Sequence, residues 1–405
     1  MAMKAATKGL QSKESAFSID ETIQHDSKTL SSQLQVLFEK LFSPNAVKTL
    51  RRFSSTEAAR LLGVTDSYVR HLVSQEEAVT SERTPGGRLS FSLEEVNRIR
   101  QILGRTKQAY LPGRRDGDHL QVIAVTNFKG GSGKTTTATH LAQYLALRGY
   151  RVLAVDLDPQ ASMSAMLGFQ PEFDVGDNET LYGAIRYDAE RRHVAEVVRH
   201  TYFPGLDLVP GNLELHEFEH DTPRALATRD TADTDLFFMR VGNALNDLQG
   251  GYDIVVIDCP PTLGFLTLSA LCAATSVLIT VHPQMLDIAS MNQFLSMTSD
   301  LLSVVKENGG NLDYDWMRYL ITRHEPNDGP QAQIVAFLRN LFGDRVLTSM
   351  MVKSTAVSDA GLSKQTIYEA GRETMHRQTY DRGIEAMDSV NGEVEALIRK
   401  SWGRA

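Results

Sequence analysis

Residues Val122–Thr136 read VIAVTNFKGGSGKTT. A buried-type strand, Val122–Thr126, runs directly into a glycine-rich turn. The turn runs directly into a helix expected over Lys134–Leu147. A turn of this kind collects backbone N–H donors at one spot, and the helix dipole adds positive potential there. Lys134 contributes a point charge suited to β- and γ-phosphates, and the Thr135 hydroxyl suits Mg²⁺. The expected nucleotide-binding residues are therefore Gly130, Gly131, Ser132, Gly133, Lys134, Thr135 and Thr136. A purely structural glycine turn would need neither Lys134 nor Thr135. The usual pattern G-x-x-x-x-G-K-[ST] wants glycine at 128, where this chain has Phe128, and Lys129 stands as an additional lysine at the loop start.

Outward from this stretch the rhythm of strand and helix continues. Further strands are expected at Val152–Asp156, Leu206–Val209, Ile254–Asp258, Val277–Val281 and Tyr319–Thr322. Helices are expected at Leu236–Leu248, Phe265–Ala274, Ile288–Val305 and Gln331–Leu341. Continuously apolar strands alternating with helices imply an α/β fold with a mostly parallel sheet covered on both faces. The chain has 405 residues, 42% apolar and 23% charged, which is ordinary globular composition and excludes a mainly disordered or fibrous protein. Two cysteines, Cys259 and Cys272, exclude a disulfide framework and fit a reducing compartment. No apolar run reaches the ~18 residues that span a bilayer, and the first seventeen residues lack the apolar core of a signal peptide. The expected location is the cytoplasm, without a membrane role.

Upstream of the loop, residues 104–118 (GRTKQAYLPGRRDGD) read as a linker. Before them, residues 46–115 carry thirteen Lys/Arg against seven Asp/Glu, although the whole chain has a net charge of −8. A basic block ahead of an acidic body suggests a module that faces nucleic acid. Within it, FSSTEAARLLGVTDSYVRHL at 53–72 has the helix–turn–helix rhythm. Ser54 or Ser55 can cap the first helix with Glu57 nearby, Gly63 ends it, and Thr65 or Asp66 caps the second. Ser67, Tyr68, Arg70 and His71 are the groove-facing candidates, and the Arg83–Arg88 turn reads as a wing whose two end arginines lie on phosphates. A helix from Ser92 to Leu103 follows. Residues 1–45 form a separate segment with a helix over Ser18–Phe42, whose Leu30, Leu34, Leu37, Phe38, Leu41 and Phe42 make an apolar stripe suited to its own chain or to a second copy. The expected domains are thus 1–45, 46–103, the linker 104–118, and 119–405.

Two more segments carry carboxylates at strand ends. Val155–Gln160 reads VDLDPQ, and Asp156 and Asp158, two residues apart, leave their strand on one side at its carboxyl edge, where open α/β sheets bind ligands. Tyr252–Pro261 reads YDIVVIDCPP, an apolar strand ending in Asp258. With KGGSGKTT at Lys129–Thr136 and the Pro210–Asn212 turn, these segments resemble the deviant Walker family, which includes the ParA and MinD ATPases and the nitrogenase iron protein. The chain is most similar to the larger ParA subtype with an N-terminal helix–turn–helix, as in the RepA partition proteins of repABC replicons. The resemblance covers about residues 119–405.

That resemblance implies a P-loop NTPase that works as a homodimer with two nucleotides sandwiched between subunits. Lys129 would be the signature lysine that reaches the partner's phosphates. Asp158 would position or activate the attacking water, Asp156 would lie near Mg²⁺, and Asp258 would hold Mg²⁺ through water. The implied cofactors are ATP, ADP and Mg²⁺. The implied partners are DNA, bound both at an operator and without sequence preference, and a centromere-binding protein of the ParB or RepB type that stimulates hydrolysis. Non-specific DNA contacts in relatives come from late basic residues, for which Arg345, Lys353 and Lys364 are the candidates here. Ala161 stands where many relatives have glycine, a departure expected to be tolerated because alanine is small. A competing reading is a transcriptional repressor whose nucleotide site only senses.

Three rival signals are set aside on the sequence. His216–His220 matches H-E-x-x-H but lacks a third ligand nearby. Cys259 directly follows Asp258, the wrong place for a shared iron–sulfur cluster, so buried free thiols are expected. The end, Val394–Trp402, reads as an ordinary terminal helix rather than a basic membrane-binding one.

Overall fold

A computed structural model describes residues 18–41, 48–75, 81–228, 236–310, 312–362 and 364–404, with the side chains of 34–41 and 362 excluded. The chain divides into two units, Met1–Lys48 and Thr49–Ala405. The first contains helix α1 (Ile19–Leu41), on which Leu30 is exposed. The side chains of Leu34, Leu37, Phe38 and Leu41, and Phe42 itself, lie outside the described residues.

The second unit begins with a three-stranded antiparallel sheet of β1 (Phe53–Ser54), β2 (Glu82–Arg83) and β3 (Leu89–Phe91), in the order β1-β3-β2. Helix α2 (Ser55–Leu62) starts at a capping box in which the Ser54 hydroxyl accepts from the Glu57 amide and the Glu57 carboxylate accepts from the Ser54 amide. It ends at Gly63, whose left-handed φ of 68° suits glycine. The Thr65 hydroxyl accepts from the Tyr68 amide at the start of α3 (Asp66–Gln75). Val69 and Leu72 bury one face of α3, which leaves Ser67, Tyr68, Arg70 and His71 exposed on the other. Arg83 and Arg88, at the two ends of the β2–β3 turn, are exposed as well. Helix α4 (Leu93–Thr106) starts at a second capping box, Ser92 with Glu95.

The Gly/Pro/charge-rich stretch after α4 is fastened at several points. Helix α4 runs three residues beyond Leu103, and Gln108–Tyr110 forms a turn of 3₁₀-helix. Arg404 donates to the carbonyls of Pro112 and Gly113 at 2.9 and 3.0 Å, and the Arg114 amide donates to Asp253 at 3.0 Å. The cores of the helix–turn–helix module and the body are also continuous. Phe53, Ala58, Val69, Phe91 and Ile99 belong to one apolar cluster with Leu141, Leu145, Val390 and Val394.

The body is built on β4 (Gln121–Thr126), β5 (Val152–Asp156), β6 (Arg199–His200), β7 (Leu206–Val209), β8 (Ile254–Asp258), β9 (Ser276–Val281) and β10 (Trp316–Ile321). Their order is β10-β9-β4-β8-β5-β7-β6, parallel throughout except for the short edge strand β6. Alternate residues of these strands feed two cores, as the two-residue side-chain period requires. Ile123, Val125, Val152, Ala154 and Val256 face helix α5 (Lys134–Arg148) and the C-terminal helix Arg377–Ser401. Ala124, Leu153, Val155, Val255 and Ile257 face the helices Phe237–Asn246, Phe265–Ala273, Met285–Glu307 and Gly329–Phe342. Burial on both faces is why the central strands read as apolar runs rather than as alternating ones. β10 starts three residues before the expected Tyr319. Its extra residues, Trp316–Arg318, pair in register with Ser276–Leu278 of β9.

His140 sits wholly buried in α5. Its Nδ1–H donates to the Thr136 carbonyl at 2.7 Å, and its Nε2 accepts from the Ile367 amide at 3.4 Å, so the neutral tautomer is satisfied on both sides. Burial pushes its pKa down to about 4, against a smaller upward push from the Thr136 hydrogen bond. The folded state then stays neutral where the unfolded state takes a proton. Stability is full above pH 6.5 and falls as the pH drops towards 4, by up to about 3 kcal/mol from this group. Urea unfolding between pH 7 and 4.5 should show this slope, and His140→Gln should flatten it.

Candidate phosphate and cation site

The carboxyl ends of β4, β8 and β5 lie side by side, with Asp156 and Asp258 in register on neighbouring strands. The loop leaving β4 is shaped by its neighbours. The Thr280 hydroxyl donates to the Ser132 hydroxyl at 3.0 Å, the Thr322 hydroxyl to the Ser132 carbonyl at 2.7 Å, and Arg323 to the Gly131 carbonyl at 3.0 Å. Arg323 itself holds a left-handed φ of 53°, a strained conformation for a non-glycine residue. Gly133 has φ 86° and caps α5, where a side chain would be strained. Among the described residues, the amides of Gly130, Gly131, Ser132 and Gly133 donate to no group of the chain. With the unpaired first amides of α5, they form a row of donors at a helix N-terminus, which is a site for an anion.

Lys134 is 6% exposed and its Nζ donates to the Lys129 carbonyl at 3.2 Å. Burial lowers its pKa, while Asp258 and Asp158 push it back up. Thr135 and Thr136 follow it, half-buried on the first turn of α5.

The three carboxylates differ in how they are used. Asp156 is fully buried and engaged: the Ser164 amide and hydroxyl donate to its Oδ2 at 2.8 and 2.7 Å, and the Asp158 amide to its Oδ1 at 3.2 Å. The same Ser164 hydroxyl accepts from the Gly211 amide, which ties the Pro210–Asn212 turn to the site. Burial raises the Asp156 pKa to about 6 against the pull of these hydrogen bonds. Asp158 is half-buried, and its Oδ1 accepts from the Gln160 amide at 3.0 Å. Asp258 is fully buried; among the described residues no hydrogen bond of ordinary geometry reaches either of its oxygens, and the Thr135 hydroxyl and Lys134 are the groups that favour its charge. Burial first and the neighbouring Asp156 second push its pKa well up, against the opposing pull of Thr135 and Lys134. A buried carboxylate so weakly compensated is costly, and a cation would remove the cost. Among the described residues no cluster of three or more His, Cys, Asp or Glu could cage a metal. One or two carboxylates beside an anion loop suit Mg²⁺, which keeps waters and phosphate oxygens as its other ligands.

Lys129 and Phe128 bind the loop to the helix Met285–Glu307. Phe128 stacks on Phe294 with centroids 5.5 Å apart, which gives the residue in place of glycine a packing role. The Lys129 Nζ pairs with Asp287, and His282 Nδ1 lies 3.0 Å from the other Asp287 oxygen. Lys129 is 40% exposed, whereas Asp287 is 8% exposed. Sequence reading missed Asp287, His282, Thr322 and Arg323, and also Asn127, whose side chain bridges the Lys129 amide and the Thr280 carbonyl. His282 follows β9, Asp287 lies in the first turn of the helix Met285–Glu307, and Thr322 and Arg323 follow β10; all four stand more than 150 residues downstream of Lys129 and carry no motif of their own.

Ala161 keeps a left-handed φ of 52° at the start of the helix Ser162–Met166. Backbone sign therefore decides the effect of this residue, rather than side-chain size, and alanine costs about 1 kcal/mol there relative to glycine.

The late basic residues fall in three settings. Arg345 lies over the Phe342 ring, Lys353 pairs with Glu325 at 2.8 Å, and Lys364 holds a left-handed φ of 52°. Glu219 of the H-E-x-x-H stretch accepts from the amides of Phe265 and Leu266, both at 2.9 Å, and so caps a helix. Cys259 is a buried free thiol and Cys272 a half-buried one, each with its pKa raised by burial. No helix among the described residues is long and apolar enough to cross a membrane.

Known proteins resemble this chain in sequence and fold. A family model described as an AAA domain matches residues 120–308. A Rhizobium rhizogenes protein named "Putative replication protein A" is 60% identical over 378 residues, 93% of each chain. The chromosome partitioning protein ParA of Myxococcus xanthus is 33% identical over 239 residues, 59% of this chain and 77% of that one. A solved structure titled "Partition Protein" covers 92% of this chain and 98% of its own, with a TM-score of 0.64 at 17% identity, and so shares the fold. The chain belongs to the ParA family of plasmid and chromosome partition ATPases, alongside the replication protein A sequences.

Proposed function

We propose that the chain binds ATP with Mg²⁺ at the Gly130–Thr136 loop, hydrolyses it, and uses the nucleotide state to switch DNA binding. The observation that carries this reading is Asp258: a buried carboxylate that, among the described residues, has no hydrogen bond of ordinary geometry to either oxygen, beside the Thr135 hydroxyl, unused loop amides and buried Lys134. Asp258 and the Thr135 hydroxyl would hold Mg²⁺, with Asp156 close by. The ion would neutralise charge on the phosphates. Lys134 would bind the phosphates, and Asp158, the most exposed of the three carboxylates, would orient the attacking water. In the ATP state Lys129 would cross to the nucleotide of a second copy and close a sandwich dimer. That dimer would coat DNA without sequence preference, and a ParB- or RepB-type protein would stimulate hydrolysis and release it. Residues 46–103 would read an operator through Ser67, Tyr68, Arg70 and His71, with Arg83 and Arg88 on phosphates, and so repress the chain's own operon. The site of action would be the cytoplasm, on the nucleoid.

DNA binding measured with ATP and with ADP, each at two salt concentrations, tests the switch. Binding to arbitrary DNA should need ATP and weaken by at least ~10-fold between 50 and 200 mM salt. Arg70→Ala should weaken operator binding by roughly 10-fold, about the worth of one good base contact, and leave the non-specific binding unchanged. DNA binding that ignores the nucleotide would sink the proposal. Turnover in the wild type no faster than in Asp158→Ala would favour a nucleotide-sensing repressor instead.

A further inference from the structure

Away from the phosphate loop, a cavity of about 390 Å³ lies at the seam between the helix–turn–helix module and the body. Its lining includes five guanidinium groups, those of Arg100, Arg115, Arg148, Arg399 and Arg404, and one carboxylate, Glu395. The carboxylate is already in use. The hydroxyls of Tyr144 and Tyr150 each donate to it at 3.1 Å, and the Arg148 Nε lies 3.2 Å from it. Arg404 is paired with Asp118.

The other three cations form no ion pair among the described residues. Arg100 is 4% exposed and donates to the carbonyls of Leu61 and Leu147 at 3.2 and 3.0 Å, and to the Asn97 side chain, none of which carries charge. Burial, and then the like charge of Arg148, lower its pKa to about 10 against smaller upward pulls from Glu395 and Tyr150. Among the described residues neither Arg115 nor Arg399 forms an ion pair, and the charge of Arg115 adds to burial in lowering the pKa of Arg404. Arg399 stands in the last turn of the C-terminal helix, where the helix dipole answers only part of its charge. Gly149, at φ 98°, lets the Arg100 guanidinium approach so closely that a Cβ there would lie 2.6 Å from it. The fold thus gathers positive charge around a cavity of ligand size rather than dispersing it. Guanidinium groups recognise phosphate through paired N–H donors.

The geometry points to a second anion site in this cavity, for a ligand that carries two or more phosphate groups and bridges the helix–turn–helix module and the body. Such a ligand would touch the end of α2 through Leu61 and Leu62, and α5 and the C-terminal helix on the far side. The site uses none of the loop residues, so it stands or falls independently of the ATPase reading.

The test titrates tripolyphosphate into the full chain carrying Lys134→Ala, without divalent cations and at low salt. Saturable binding with a rise in melting temperature is expected. Adding Arg115→Ala and Arg399→Ala should weaken that binding by about 10-fold or more while the melting temperature without ligand stays close to that of the parent. Both side chains are exposed and lack ion pairs among the described residues, so this double change spares the fold. Competition distinguishes the sources of phosphate: ATP displaces the probe if the ligand is a free nucleotide, and a short DNA duplex alone displaces it if the ligand is the DNA backbone. No saturable binding, or binding that the double change leaves intact, overturns the proposal.

Discussion

Replacing Lys134 with alanine is expected to remove nucleotide binding at the loop and reduce ATP turnover to background, a loss of at least ~100-fold. Two effects add. The ammonium that would face the β- and γ-phosphates is gone, and the cation that opposes the raised pKa of Asp258 goes with it. Asp258 would then take up a proton more readily and become a poorer ligand for Mg²⁺. Because Lys134 is buried, no neighbouring lysine can replace it from solvent. Fluorescent-nucleotide titration together with a phosphate-release assay checks this, with circular dichroism to show that the fold persists. Turnover within a few-fold of the wild type would remove Lys134 from the site.

Lys129→Ala is expected to act differently. Nucleotide binding to a single chain should stay within a few-fold of the wild type, while the ATP-dependent dimer weakens by at least ~10-fold. Within one chain Lys129 pairs with Asp287, which also lies against His282. To reach another subunit's triphosphate it must leave that partner. The lysine is 40% exposed, so the pair contributes about 1 kcal/mol or less, and a triphosphate can outcompete it. Asp287→Asn should therefore shift the balance the other way and promote the ATP dimer. Sedimentation of both variants with ATP and with ADP reads the result. An unchanged ATP dimer in Lys129→Ala, with no gain in Asp287→Asn, would mean that the lysine serves only to anchor the loop.

The phosphate loop was legible because its chemistry is local. A strand, a glycine turn and a helix start lie within fifteen residues, Val122–Thr136, and each carries its own signal. The capping boxes at Ser54 and Ser92 are local as well, and both form. The stretch after α4 reads as a linker for the opposite reason. Its glycines, proline and charges have the composition of a free segment, yet Arg404 and Asp253, both far along the chain, hold it in place.

Sequence by itself determined the α/β class, the loop, the acids at the strand ends and the exposed face of α3. Each follows from the period of the side chains or from donors placed within a few residues of one another. Tertiary structure alone decided that Asp156 is engaged by Ser164 while Asp258, among the described residues, has no hydrogen bond of ordinary geometry, that Lys129 meets Asp287, and that arginines from four separate segments surround one cavity. These depend on which distant strands and helices become neighbours. Strand order and packing settle that, and no short stretch of residues encodes it.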